Sequence, residues 1–216
     1  MRTNDGSFLI LHGWQNRRPR GHWQHWLAGE LTAAGHQVEY PQLPEPDYPK
    51  PADWAAAVLA AAARLTGPER VVVCHSLGCL GWLHACSSAG VANRAASVLR
   101  TPRIAFRVVL VAPPGRTFLR KTVELAAFDP PVSARPADVG TAAVRLVHSD
   151  NDPYCPVPEE VALPRIDGLR EDLLPGQGHF DLEAGYGSWP EMLAWCEGRG
   201  TRLAPRHAAD VELTKA

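Results

Sequence analysis

The residues best placed to do chemistry lie in Val71-Val72-Val73-Cys74-His75-Ser76-Leu77-Gly78. An apolar run reads as a buried strand, a sharp turn carries a serine, and a helical pattern follows through Leu77, Leu80 and Leu83. This is the pattern of a nucleophile elbow, G-x-S-x-G, with Cys74 in place of the first glycine. Such a turn holds its serine at positive φ and lifts the hydroxyl clear of the sheet. Small residues two before and two after the serine let strand and helix approach closely. Gly78 meets that demand fully and Cys74 in part. The Leu77 N–H falls at a helix N-terminus, where backbone donors are free to bind a developing oxyanion. The loop after the first strand, His12-Gly13-Trp14, is expected to supply a second donor from Trp14. Gly13, Trp14 and His75 flank these positions and are expected to touch a bound substrate.

A serine hydroxyl needs a base. His179, in Gly176-Gln177-Gly178-His179-Phe180, follows the last strand-like segment. Alone it would read as a surface histidine in a glycine turn; with the elbow upstream it becomes the candidate base. The base needs an orienting carboxylate. His148-Ser149-Asp150-Asn151-Asp152-Pro153 follows the fifth strand and offers Asp150 and Asp152. Pro153 stiffens the chain beside Asp152, while Asp150, directly after the strand, suits a turn cap. The chain order Ser…Asp…His is that of the α/β hydrolases, not of chymotrypsin-type or subtilisin-type proteases.

Positioning these groups requires an alternation of strands and helices. Phe8–Leu11, Val38–Tyr40, Val71–Val73, Val108–Val111 and Val144–Val147 read as strands, with a weaker one near Leu173–Leu174. Between them run helical stripes: Trp23, Trp26, Leu27, Leu31 and Ala34, stopped by Gly35; then Trp54, Val58, Ala61 and Leu65. Trp189, Met192, Leu193 and Cys196 form the last. The pattern predicts a three-layer α/β/α sandwich with a parallel sheet of about six strands in the order 2-1-3-4-5-6, placing Ser76 beside the topological switch point. Residues 1–198 are expected to form one domain and 199–216 a polar appendage. The proline-rich stretch 113–140 reads either as a small cap over the sheet edge or as an ordinary connection with one helix.

Composition agrees with a single soluble domain: 216 residues, 45% hydrophobic, 21% charged and a net charge of −1. That charge offers nothing to nucleic acid, and no apolar run is long enough to span a membrane. No apolar signal segment precedes the first strand. Five cysteines, odd in number and without C-x-x-C spacing, suit reduced, buried thiols and a cytoplasmic location. His22 and His25 lack the further ligands a metal site needs, and no phosphate or dinucleotide loop is present, so no metal or cofactor is expected. Arg17, Arg18 and Arg20 read as a solvated loop or as contacts for an acidic substrate or partner.

These residues together resemble the compact serine-hydrolase family typified by the human retinoblastoma-binding serine hydrolase and its bacterial relatives. The segments that carry the resemblance are His12-Gly13-Trp14-Gln15, Gly21-His22-Trp23-Gln24-His25-Trp26, His75-Ser76-Leu77-Gly78-Cys79, Ser149-Asp150-Asn151-Asp152-Pro153-Tyr154 and Gly178-His179-Phe180. The resemblance spans about Phe8 to Gly198. It implies a minimal α/β-hydrolase sheet lacking two leading strands, and a triad on Ser76, Asp152 and His179. The chain departs from the family pattern in its basic Arg17-Arg18-Pro19-Arg20 stretch and its long tail. The expected activity is hydrolysis of an ester, thioester or amide of a small acyl substrate. A peptidase, or a non-catalytic protein-binding module on the same scaffold, is the alternative; no protein partner is indicated by the sequence.

Overall fold

The computed structural model describes residues 6–92, 106–130, 141–157, 160–166, 168–200 and 202–206. Six parallel strands lie in the order β2-β1-β3-β4-β5-β6: β1 Gly6–Leu11, β2 Gln37–Glu39, β3 Glu69–His75, β4 Phe106–Val111, β5 Thr141–His148 and β6 Arg170–Leu173. The expected strand order is thus observed. β1 pairs with β2 on one side and β3 on the other, so the order reverses there, and Leu11 is level with Cys74. The loop after β1 and the turn after β3 therefore leave the sheet side by side, at the crevice where open α/β sheets bind ligands.

Period-2 alternation along each strand sorts the apolar residues into two cores. Leu9, Leu11, Val72, Cys74, Val108 and Leu110 face α2 (Pro51–Ala62) and α3 (Leu77–Ala92). Phe8, Ile10, Val71, Val73, Val109 and Val111 face α1 (Trp23–Ala33) and α5 (Pro190–Cys196). α1 buries Trp23, Leu27 and Leu31 at helical spacing, while Trp26 is half-buried and Ala34 is exposed just past the helix end. Gly35 follows at φ 86°, a left-handed stop. All five cysteines are buried and none is in a disulfide. Among the described residues no helix is long and apolar enough to cross a membrane.

The proline-rich stretch supplies α4 (Arg116–Lys121) and a 3₁₀ turn at Ala126–Phe128. Leu119, Leu125 and Phe128 are buried in the core with α2 and α3. Residues 131–140 lie outside the described residues, so the choice between cap and connection is only partly covered. Of the tail, expected from the sequence to be an appendage, residues 199–200 and 202–206 are described. Leu203 is buried in the core with α1 and α5, its N–H donating to Asp172 Oδ2 at 2.8 Å. Asp172 also pairs with Arg145 at 2.5 Å, and Trp189 Nε1–H donates to the Ala204 carbonyl at 3.0 Å. One apolar residue in a polar segment carries no periodicity, which is why the sequence reading missed it.

α3 passes very close to the end of β1. A Cβ on Gly78 would sit 2.6 Å from the His12 carbonyl oxygen and 2.7 Å from that of Leu11. Gly78→Ala should therefore destabilise the protein by about 1–3 kcal/mol, despite the roughly 1 kcal/mol that alanine gains in a helix. Urea unfolding checks this; a stabilised variant would show that helix and strand can part without cost.

Candidate active site

Ser76 caps β3 at φ 53°, the left-handed conformation expected of an elbow. Its N–H donates to the Val111 carbonyl at 2.8 Å, which carries the β3–β4 ladder one residue past the strand. Leu77 begins α3, buried among the apolar residues of that face. Gly13 packs directly on the serine: a Cβ there would lie 2.7 Å from Ser76 Cβ and 3.1 Å from its Oγ. Only glycine fits between the two loops.

The loop carrying Gly13 and Trp14 is pinned from several sides. His12 is fully buried; its Nδ1–H donates to the Gly13 carbonyl at 2.8 Å and its Nε2 accepts the Leu43 N–H at 2.8 Å. Both bonds require one neutral tautomer. Because O and H point opposite ways across a trans peptide, the Trp14 N–H is directed away from His12. Among the described residues, neither the Trp14 N–H nor the Leu77 N–H has an acceptor. Trp14 Nε1–H donates to the Asp47 carbonyl at 3.0 Å. The basic stretch contributes to the same anchoring: Arg17 pairs with Asp47, and Arg18 donates to the Tyr40 carbonyl at 2.6 Å.

His179 stands at the sheet edge on the turn after β6. Its Nδ1–H donates to Asp152, with Oδ2 at 2.8 Å and Oδ1 at 3.0 Å. Asp152 is buried, and its Oδ1 also accepts the Tyr154 N–H at 2.8 Å. Asp150 points elsewhere: its Oδ1 accepts the Gly176 N–H at 2.8 Å. Ser149 Oγ accepts from the Gln177 N–H and Asn151 Oδ1 from the Gly178 N–H, at 2.8 and 2.7 Å. Three consecutive side chains thus hold the three residues before His179. Their signal in the sequence was the run of short polar residues 149–151, but nothing there identified the glycine turn as their partner.

A cavity of about 380 Å³ joins these groups. Gly13, Trp14, His75, Ser76, Leu77 and His179 line one end; Phe118, Leu125, Tyr154 and Leu182 supply apolar wall. Asp152 lies behind His179, out of the cavity. Phe118 and Tyr154 were not among the sequence candidates. Tyr154 meets the His179 ring edge-on at 4.4 Å, and its hydroxyl pKa is raised by burial and by the nearby Asp181, Glu183 and Asp152 carboxylates. His75 lines the cavity as well, but its ring is buried, and burial drives its pKa well below the usual histidine value. Among the described residues no three His, Cys, Asp or Glu side chains are grouped to hold a metal ion.

A strained serine at the switch point, a carboxylate-bound histidine lining the same cavity and an all-parallel six-stranded sheet have the form of an α/β hydrolase. Residues 8–197 match the model of the family described as serine hydrolase, and the chain belongs to that family. It is similar in fold to the ydeN gene product of B. subtilis, at 19% identity and TM-score 0.60 over 92% of this chain and 100% of that one. A YdeN-like hydrolase from Pectobacterium atrosepticum matches at 19% identity and TM-score 0.58, over 90% of each chain. Est1E from Butyrivibrio proteoclasticus matches at 14% identity and TM-score 0.52, over 91% of this chain and 88% of that one. No curated protein matches the chain by sequence.

The buried histidines give the site a defined response to acid. Burial lowers the pKa of His12 and of His22 to about 4. Unfolded, each titrates near 6.5, so the unfolded chain takes up protons first as pH falls. Stability should be full above about pH 6.5 and drop by on the order of 2 kcal/mol per histidine between pH 7 and 5. Urea midpoints across that range test this; a constant midpoint would mean that neither ring is held neutral by the fold.

Proposed function

We propose that this serine hydrolase cleaves carboxylic esters by acyl transfer through Ser76. The observation that carries the reading is the juxtaposition at one cavity of Ser76, at φ 53°, and His179, whose Nδ1 is bound to Asp152 at 2.8 Å. With Nδ1–H on the carboxylate, Nε2 is the basic nitrogen. His179 takes the Ser76 proton as Oγ attacks the carbonyl carbon, and the carbonyl oxygen gains the negative charge. The unpartnered N–H groups of Leu77 and Trp14 receive that oxyanion. The tetrahedral intermediate collapses, the ester C–O bond breaks, and His179 donates its proton to the leaving alkoxide. Water then attacks the acyl-enzyme with His179 again as base, releasing the acid and restoring Ser76.

Trp14, Phe118, Leu125 and Leu182 favour an apolar acyl or alcohol group of modest size, given a cavity of about 380 Å³. Esters are preferred over amides because an alkoxide leaves with less assistance than an amine. Thioesters share the same requirement, and a peptide would need its amine protonated before departure. A small acyl substrate is the proposed partner, and a cytoplasmic location suits five reduced, buried cysteines.

The test is labelling by a fluorophosphonate probe together with turnover of p-nitrophenyl esters of graded acyl length. Ser76→Ala should abolish both while the melting curve stays near wild type, because the half-buried serine side chain fills no core space. A well-folded wild-type chain that neither labels nor turns over would overturn the reading in favour of a binding module.

The two acids are separated by their partners. Asp152→Asn should keep the fold and lower kcat by about 10²–10⁴-fold, as His179 loses its carboxylate and its tautomer. Asp150→Asn keeps an oxygen for the Gly176 N–H and should cost little turnover, with at most about 1 kcal/mol of stability. Saturation kinetics with parallel melting curves check both. An inactive Asp150→Asn beside a normal Asp152→Asn would reassign the acid.

A further inference from the structure

Beyond its ring contacts, His179 sits in a backbone held by two ring donors from elsewhere in the chain. His75 Nε2–H donates to the His179 carbonyl at 2.8 Å, and Trp23 Nε1–H donates to the Phe180 carbonyl at 2.8 Å. Between those two carbonyls Phe180 adopts φ 54°, a left-handed conformation that a bulky side chain seldom takes. Its ring is fully buried, stacked on Trp189 with centroids 5.5 Å apart. Both donors are themselves fixed. His75 is the last residue of β3 and the neighbour of Ser76. Trp23 opens α1, packs edge-on against His75 at 5.8 Å and Trp189 at 5.2 Å, and its backbone N–H donates to the Tyr186 carbonyl at 3.1 Å. With Nε2–H donating to a carbonyl, a neutral His75 keeps its lone pair on Nδ1, which is buried and faces no hydrogen-bond partner among the described residues.

We infer that Trp23 and His75 are positioning residues: their ring N–H groups clamp consecutive carbonyls across the strained Phe180 and so set the place of the His179 imidazole relative to Ser76. The His75 bond matters most for geometry. It runs from the residue next to the nucleophile to the main chain of the base, so a displacement of one carries the other. Asp152 orients the ring about its own bonds, whereas the clamp fixes where that ring is hung. A misplacement of about 1 Å at reacting groups can cost on the order of 10²-fold in rate. Trp23 thus has a function beyond the apolar face that its helical spacing suggests. The inference rests on His179 acting as the base.

The test uses variants that remove each donor while keeping bulk. Trp23→Phe and His75→Leu should each lower kcat for a p-nitrophenyl ester about ten- to hundredfold, with KM within about twofold. His75→Gln, which retains an N–H donor, should recover most of the loss. In a His179→Ala background Trp23→Phe should cost less than about twofold, because a residue that acts through His179 has nothing left to position. Melting curves identify a variant that fails to fold, and the other donor then tests the same clamp from its own side. A second readout needs no turnover: the proton shared by His179 Nδ1 and Asp152 should give a downfield NMR resonance that broadens in both donorless variants. Donorless variants with wild-type kcat, an undiminished loss in the His179→Ala background, or an unchanged resonance would each overturn the clamp. A wild-type chain that never acylates would instead overturn the role of His179 as base, while the resonance still decides whether the clamp holds the ring.

Discussion

Much of the sheet's carboxyl edge depends on how closely α3 approaches the end of β1. Gly78 brings the first turn of the helix against the Leu11 and His12 carbonyls, leaving no room for a Cβ. That approach sets Ser76 beside Gly13, and the absence of a side chain at Gly13 keeps space around the hydroxyl. Leu77 and Trp14, from two loops distant in sequence, then line the same cavity. Were the helix an ångström further out, the serine would stand away from the loop. The left-handed φ of Ser76 is tolerated because Val111 holds its N–H and Leu77 is buried just beyond.

The fold was legible in the sequence because its determinants are local. Short valine-rich runs separated by helical stripes announce buried parallel strands, and a parallel sheet of right-handed crossovers leaves few topologies. The elbow was legible because glycine two residues after a serine, at a strand-to-helix junction, answers a steric demand that few other residues meet. The choice between Asp150 and Asp152 was not local. Both are loop carboxylates; what separates them is that Asp150 faces the Gly176 N–H while Asp152 turns inward to His179. In the sequence, the stiffening Pro153 and the resemblance to a family pointed to the second, but neither shows which side chain turns inward.

Other parts of the site were invisible for the same reason. Phe118 and Tyr154 come from segments without clear periodicity, and they become neighbours, with ring centroids 5.0 Å apart, only through the fold. Trp23 looked like any apolar residue on a helix, since a sequence shows the ring but not where its N–H is aimed. The arginines of the first loop read as a solvated loop or as contacts for an acidic substrate or partner; Arg17 and Arg20 are exposed, while Arg17 also pairs with Asp47 and Arg18 donates to the Tyr40 carbonyl. Long polar side chains form such ties across long sequence separations, and no spacing rule anticipates them.

The two cores also have a bearing on Ser76 and His179. Ser76 rides on α3, whose Leu77 and Leu80 are rooted in the apolar layer on one face of the sheet. His179 hangs from a turn whose neighbours Phe180, Tyr186 and Trp189 are rooted in the layer on the opposite face. The two side chains line the same cavity. The sheet therefore acts as a rigid partition, and the seating of each layer against it sets the gap between Ser76 and His179. A void opened in one layer loads the bond from His75 to the His179 carbonyl, which ties the two sides together. Alignment at the rim is in this sense a gauge of packing on both faces at once, sensitive to distortions far smaller than those that unfold the chain.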